Sequence, residues 1–280
     1  MAALAPVPAS ETPDGLASVR RLRPALGTWL ALETSAVTEP LALAALEAAF
    51  AAVAEVEGLM HPERPGSDVQ RINSAPPGVE IPIHPLTFEV LSFAQRLHQL
   101  SRGAFDPCLP EAPARLADLT LRCPAPDPQR GAAPAYRVVC GQRAALDLGG
   151  VAKGFAVDRA VLALMRAGCA GGLVNAGGDL RTFGPAPAPI VLRRARAPDQ
   201  LLWLKNAALA VSDPCAAAPP GQHRGYYRRG TKNARVRYAA VMAANAMSAD
   251  ALTKCVMLCR PRATQRALQT YHAAVVHAGD

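Results

Sequence analysis

One run near the middle of this 280-residue chain constrains its fold more than any other: Leu146-Asp147-Leu148-Gly149-Gly150-Val151-Ala152-Lys153-Gly154-Phe155-Ala156-Val157-Asp158. Residues 143–148 read as a short strand, and the glycine pair breaks it. Residues 151–168 then continue as a helix with Phe155, Val161, Leu162 and Met165 apolar. A glycine pair between a strand and a helix lets backbone approach a ligand with no Cβ in the way. The first N–H groups of a helix are unpaired, and its dipole favours an anion there. With Lys153 added, Gly149, Gly150 and Lys153 form a candidate site for a phosphate or pyrophosphate. The run is neither a Walker A loop nor GxGxxG. On periodicity alone, a plain glycine-rich connection is the simpler reading of it.

Around this run, helical and strand patterns alternate irregularly. Residues 25–33 read as a strand. Residues 40–57 read as a helix, with Leu43, Leu46, Phe50, Val53 and Val56 at spacings of three and four. Residues 60–78 read as a proline-bearing loop, and 85–101 as a second amphipathic helix. Residues 106–136 are Pro-rich and long for a connection inside a domain, which marks a functional loop or an insertion. Strands are expected at 172–175, 191–194, 201–204, 207–212, 239–243 and 273–277. Helices are expected at 250–259, beginning near Ser248 as N-cap, and at 263–270. With no internal repeat and no clear linker, the pattern predicts a single α+β domain over 25–280, built from mixed or antiparallel sheets with packed helices. Residues 1–24 read as a flexible N-terminal tail.

Composition excludes several classes. Half of the chain is hydrophobic but only 5% is aromatic, so the core must be largely Ala, Val and Leu. No apolar run approaches the roughly 20 residues of a membrane span. The seven cysteines are odd in number and form no CxxC pair, which rules out a complete disulfide framework and a common zinc spacing. The N-terminus lacks a basic start followed by a compact apolar run, so a cytoplasmic location is the default expectation. The formal net charge is +8, and six of those charges are Arg224, Arg228, Arg229, Lys232, Arg235 and Arg237. Tyr226, Tyr227 and Tyr238 lie among or beside them, but no nucleic-acid recognition motif accompanies this segment, so no nucleic-acid partner is expected.

Three further segments carry candidate chemistry. Asn175-Ala176-Gly177-Gly178-Asp179 places a second glycine pair after a strand, and Asp179 could bind a ribose, a metal or only a backbone N–H. Ser101-Arg102-Gly103-Ala104-Phe105-Asp106-Pro107 ends a helix with Gly103 as a natural C′ residue. Asp250 and Thr253 lie three apart in the first turn of a late helix, and a carboxylate and hydroxyl so placed suit a hard cation such as Mg²⁺.

These segments, in this order, resemble the FAD:protein FMN transferases of the ApbE type. The resemblance runs from about Leu26 to the C-terminus and thins over 109–143 and 214–237. Leu26-Gly27-Thr28 stands for the family's Met-Gly-Thr, and Ser67-Asp68-Val69-Gln70-Arg71-Ile72-Asn73 for its Ser-x-Leu-Ser-Arg-Ile-Asn. Gly-Ala-Phe-Asp-Pro is intact at 103–107, and Asn-x-Gly-Gly-Asp at 175–179. Asp-Leu-Gly-Gly-Ile-Ala-Lys-Gly-Tyr is matched by 147–155, and Ala-Asp-Ala-Leu begins at Ala249.

The resemblance implies Mg²⁺-dependent transfer of FMN from FAD to a Ser or Thr of an acceptor flavoprotein, with release of AMP. It implies that Leu26, Ala104, Phe105, Asp106, Gly149 and Phe155 line the FAD site, and that Ala152 (by its carbonyl), Asp250 and Thr253 hold the metal. Lys153 would be a supporting charge. Two departures stand out. Lys254 occupies the position where the family has Thr, so its ammonium would either repel Mg²⁺ or supply part of its charge at the pyrophosphate; Asp250 and Lys254 are thus the candidate catalytic pair. The family's Ser-His-x-x-Asp-Pro segment is not recognisable after Ser212, where His223 is the one histidine. These departures leave room for a diverged relative that binds or hydrolyses FAD without flavinylating a protein.

Overall fold

The computed structural model describes residues 15–123, 136–194, 197–213 and 238–279. Its spine is a seven-stranded sheet in the order β1-β2-β6-β7-β10-β11-β12, comprising Ala17–Ala25, Thr28–Ala36, Gly171–Ala176, Asp179–Phe183, Ala208–Ser212, Tyr238–Ala243 and Ala274–Gly279. Every neighbouring pair in it is antiparallel. A three-stranded sheet, β3-β5-β4 (Glu80–Pro82, Arg137–Cys140, Leu119–Arg122), and the β8–β9 hairpin (Ala188–Arg194, Ala197–Leu204) complete the strands. The fold is α+β, as the pattern predicts, and its sheets are antiparallel throughout the described residues.

Helices α1 (Glu39–Met60), α4 (Ala152–Arg166) and α5 (Ala246–Leu258) cover one face of the large sheet. Their contact surfaces are small-residue surfaces. Helices α1 and α4 pack together, with Ala42, Ala45, Leu46, Ala49 and Val53 buried on α1 and Ala156, Val157, Ala160 and Leu164 buried on α4. Ala side chains let helices approach closely, which is how a core with few aromatics fills its space. The opposite sheet face has its own smaller core of Leu180, Ile190, Leu192, Leu204, Leu209 and Tyr238, under the β8–β9 hairpin. Helix α2 (Asp68–Ser74), α3 (Pro85–Leu100), a 3₁₀ turn (Leu116–Asp118) and α6 (Pro261–Thr270) pack around the smaller sheet and the end of α5.

Several expectations are corrected. The stretch 17–24, read as tail, is most of strand β1, whose alternation is masked by arginines on its open edge. The loop 60–78 contains α2, and the signal for it was present: Ser67 accepts from the Gln70 N–H at 3.0 Å, while the Gln70 side chain reaches back to Gly66 N at 3.4 Å. Residues 143–148 are not a strand. Asn73 of α2 donates to the Leu146 carbonyl at 2.9 Å and accepts from its N–H at 2.6 Å, so a side chain occupies the pairing groups that a neighbouring strand would use. That segment keeps a single bridge, Cys108 to Leu146, and the strand forms earlier, at Arg137–Cys140. Helix α5 starts before Ser248: Asn245 is its N-cap and accepts from Ser248 N at 2.8 Å. Met165, one of the apolar residues of the α4 pattern, is exposed. Cys215 and the basic segment 223–237 lie outside the described residues, and Cys108, Cys140, Cys169, Cys255 and Cys259 are free thiols.

Candidate functional site

The site forms where α4, α5 and the β6–β7 turn converge at one end of the large sheet. The turn is a two-residue hairpin: Ala176 pairs with Asp179, and Gly177 and Gly178 both have positive φ, +65° and +112°. Gly177 is required for a second reason, since a Cβ there would lie 2.4 Å from the Thr28 hydroxyl. Two motifs distant in sequence, Gly-Thr at 27–28 and the Gly-Gly of 177–178, are thus one packing unit. Asp179, the first residue of β7, is buried at this end.

Opposite the turn, α4 and α5 touch backbone to backbone. A Cβ on Gly154 would lie 2.2 Å from the Ala246 carbonyl oxygen and 2.9 Å from Asp250 Cβ. This approach lets Gly154 N donate to Asp250 Oδ2 at 3.2 Å. Asp158, one turn further along α4, fixes the start of α5: its Oδ1 accepts from Ala246 N and its Oδ2 from Met247 N, both at 2.9 Å. Arg181 Nη1 of β7 donates to the same Oδ1 at 2.8 Å. Burial pushes the Asp158 carboxyl above the usual carboxylate range, against the pull of these donors.

Two lysine–carboxylate pairs result. Lys153 Nζ lies 2.9 Å from Asp179 Oδ2. Lys254 Nζ contacts Asp250 Oδ1 and also donates to the Asp250 carbonyl at 3.1 Å. Asp179 and Asp250 are essentially inaccessible, while the Lys153 side chain is 34% exposed and that of Lys254 14%. The Asp179 carboxylate raises the Lys153 ammonium above its ordinary value and keeps it charged. Burial, then repulsion from Asp250, pushes the Asp179 carboxyl up, with both lysines pulling it back. The four groups sum to zero charge, with the ammoniums nearer the solvent.

The expected metal donors are engaged within the protein. Thr253 Oγ1 donates to the Asp250 carbonyl at 2.6 Å, so Ser212 Oγ, 2.6 Å away, donates to Thr253. Both Asp250 oxygens have partners, Lys254 and the Gly154 N–H. A single carboxylate already neutralised by an ammonium, a committed hydroxyl and the Ala152 carbonyl do not fit a divalent ion, which takes a shell of oxygen donors and favours negative ones. Among the described residues no cluster of three or more acidic, His or Cys side chains offers an alternative.

The anion site also differs from its expectation. The Val151 and Ala152 N–H groups close back onto the Leu148 carbonyl at 2.9 and 2.7 Å, and Gly149 N donates to Asp147 Oδ1 at 2.8 Å. The start of α4 is therefore mostly satisfied internally, and Lys153 supplies the attraction there. Gly149 is exposed and Gly150 buried.

The remaining candidates are distributed differently. Leu26 is half-buried in the β1–β2 turn with φ +55°, and its N–H donates to Glu57 Oε1 at 3.0 Å; this turn adjoins the Gly177 turn through Thr28. Ala104 is half-buried, while Phe105 and Phe155 are inside the main core. Asp106 is buried and holds its own loop, with Oδ1 accepting from Cys108 N at 3.0 Å and Leu116 N at 3.2 Å. Phe105 and Phe155 are thus core residues and Asp106 a carboxylate that holds its loop. Sequence reasoning missed Gly154, Asp158 and Ser212. The first two stand inside the quoted motif, and their i, i+4 spacing, which puts both on one face of the helix, is the signal that could have marked them.

The fold is shared with solved flavin transferases. The apo flavinyl transferase ApbE of Pseudomonas stutzeri matches with TM-score 0.72 at 17% identity, over 93% of this chain and 90% of that one. The flavin transferase ApbE of Vibrio cholerae matches with TM-score 0.72 at 18% identity, over 95% and 98%. The ApbE protein of Thermotoga maritima matches with TM-score 0.70 at 23% identity, over 93% and 94%. At these identities the likeness is one of fold. Residues 26–277 match the ApbE family, and the chain belongs to it. No curated protein sequence matches the chain. No helix among the described residues is long and apolar enough to cross a membrane.

Proposed function

We propose that this chain transfers the FMN moiety of FAD to a Ser or Thr hydroxyl of an acceptor flavoprotein and releases AMP. The observation that carries this reading is the pair of ammonium groups, Lys153 and Lys254, held by buried carboxylates where α4 meets α5. Such a pair matches the two negative charges of a pyrophosphate. In the reaction, the acceptor oxygen bonds to the FMN phosphorus and the bond from that phosphorus to the bridging oxygen breaks. AMP leaves with the bridging oxygen, and the hydroxyl proton passes to a base. Phosphoryl transfer of this kind depends on positioning and on charge placed where charge develops. In this reading Lys153 and Lys254 face that charge; Asp179 keeps the Lys153 ammonium charged, and Asp179 and Asp250 hold the two side chains in place. His223, the one histidine in the interval expected to carry a base, lies outside the described residues, which resume at Tyr238.

The test incubates the protein with FAD and a flavoprotein bearing an Asp-x-x-Ser/Thr-Gly-Ala-type acceptor segment. Covalent in-gel flavin fluorescence with matching AMP release is expected. AMP without a labelled acceptor would identify a hydrolase, and neither signal would refute catalysis on FAD.

A further inference from the structure

Resting on the reading of the site as a pyrophosphate site, we infer that Lys254 takes the place of a divalent cation, so this chain handles its dinucleotide without metal. Three independent contacts carry the inference. The Lys254 ammonium contacts Asp250 Oδ1 and the Asp250 carbonyl together, so it is seated at the carboxylate rather than extended into solvent. Gly154 N occupies the other oxygen, Oδ2, through a helix contact too close for any side chain. Ser212, at the end of β10, donates to Thr253, whose proton is directed at the Asp250 carbonyl.

A divalent ion entering here would have to strip the ammonium from a buried carboxylate. It would then leave a lysine charge against a dication in a setting of low dielectric, and both steps are unfavourable. The second lysine strengthens the argument. With Lys153 on Asp179, the site presents two fixed cationic heads above two buried anions, a distribution that attracts a pyrophosphate but offers a cation no net negative field. An ammonium can donate to phosphate oxygens while its other protons remain on Asp250, because it has three donors. It therefore supplies charge without needing an oxygen coordination shell.

Two measurements on the intact protein test this. In the first, Mn²⁺ is titrated into the protein without FAD and free Mn²⁺ is followed by electron paramagnetic resonance. No stoichiometric binding is expected for the wild type, and one tightly bound Mn²⁺ per chain would overturn the inference. In the second, FAD affinity is measured calorimetrically in EDTA and in Mg²⁺. The wild-type Kd is expected to change by less than about twofold between the two. Lys254→Thr is expected to lose about tenfold or more in EDTA, from the missing charged hydrogen bonds, and to regain affinity with Mg²⁺ while now binding Mn²⁺. Wild-type FAD binding that demands Mg²⁺ would overturn the inference. Absence of FAD binding under every condition would instead refute the flavin reading of the site, and the Mn²⁺ titration of the wild type would still decide the role of Lys254 even if the variant did not fold.

Discussion

Replacing Gly154 by Ala sets two opposing effects against each other, and the structure says which wins. Helix propensity alone favours the change by at most about 1 kcal/mol. Against it, the new methyl carbon would sit 2.2 Å from the Ala246 carbonyl oxygen, 2.6 Å from its carbon and 2.9 Å from Asp250 Cβ, all short of the 3.4 Å where ordinary contact begins. Two of those atoms are backbone, so α5 must retreat from α4 by roughly 1 Å to restore normal contact distances. Overpacking of this sort costs about 1–3 kcal/mol. The retreat also stretches the 3.2 Å bond from Gly154 N to Asp250 beyond hydrogen-bonding range. A hydrogen bond to a charged group contributes about 1.5–3 kcal/mol. The net expectation is a destabilisation of about 2–5 kcal/mol, with a melting temperature lower by about 10 °C for a chain of this size. Thermal and urea unfolding followed by circular dichroism measure it, and FAD calorimetry on the folded variant reports whether Lys254 and Lys153 keep their relative placement. A variant as stable as the wild type, or more stable, would refute the claim that the α4–α5 contact is closed at Gly154.

Two further outcomes follow from side chains that bind backbone. Asn73→Ala leaves the N–H and carbonyl of buried Leu146 without the 2.6 and 2.9 Å partners they have now. A loss of about 1–3 kcal/mol is expected, read as a lower urea midpoint at unchanged slope; an unchanged midpoint would mean that water replaces the carboxamide at no cost. For Asp158 the folded-state pKa lies above the ordinary carboxylate value because of burial. The folded protein then holds more protons than the unfolded chain in the window just above the ordinary value. The stability that Asp158 contributes therefore falls as pH rises through that window. The deficit of Asp158→Asn relative to wild type, measured by urea unfolding from pH 4 to pH 7, should shrink with rising pH, whereas a growing deficit would show that the helix N-terminus and Arg181 depress this carboxyl instead.

Sequence by itself determined the class of fold and the chemistry present at the site. The glycine pairs at 149–150 and 177–178, the small-residue helix pattern and the absence of long repeats or spans were enough for an α+β domain, because these signals are local and set by backbone sterics and periodicity. Lys153, Asp179, Asp250 and Lys254 were also legible as titratable residues beside glycine turns or at a helix start. What the sequence could not supply was pairing. That Lys153 meets Asp179, and that this pair comes together with the i, i+4 pair of Asp250 and Lys254 within α5, depends on how α4, α5 and the β6–β7 turn approach one another. The missing Cβ of Gly154 sets the first of these approaches and the Thr28–Gly177 contact supports the turn. Another long-range contact removed the expected strand at 143–148, where Asn73 takes over the Leu146 backbone, while local bonds onto Leu148 and Asp147 closed the start of α4 to much of the anion binding its sequence suggested. The ammonium at Asp250 Oδ1 is a local matter, carried one turn away on the same helix, but the partner of Oδ2 is a tertiary one: Gly154 N reaches it because α4 and α5 close where Gly154 has no side chain.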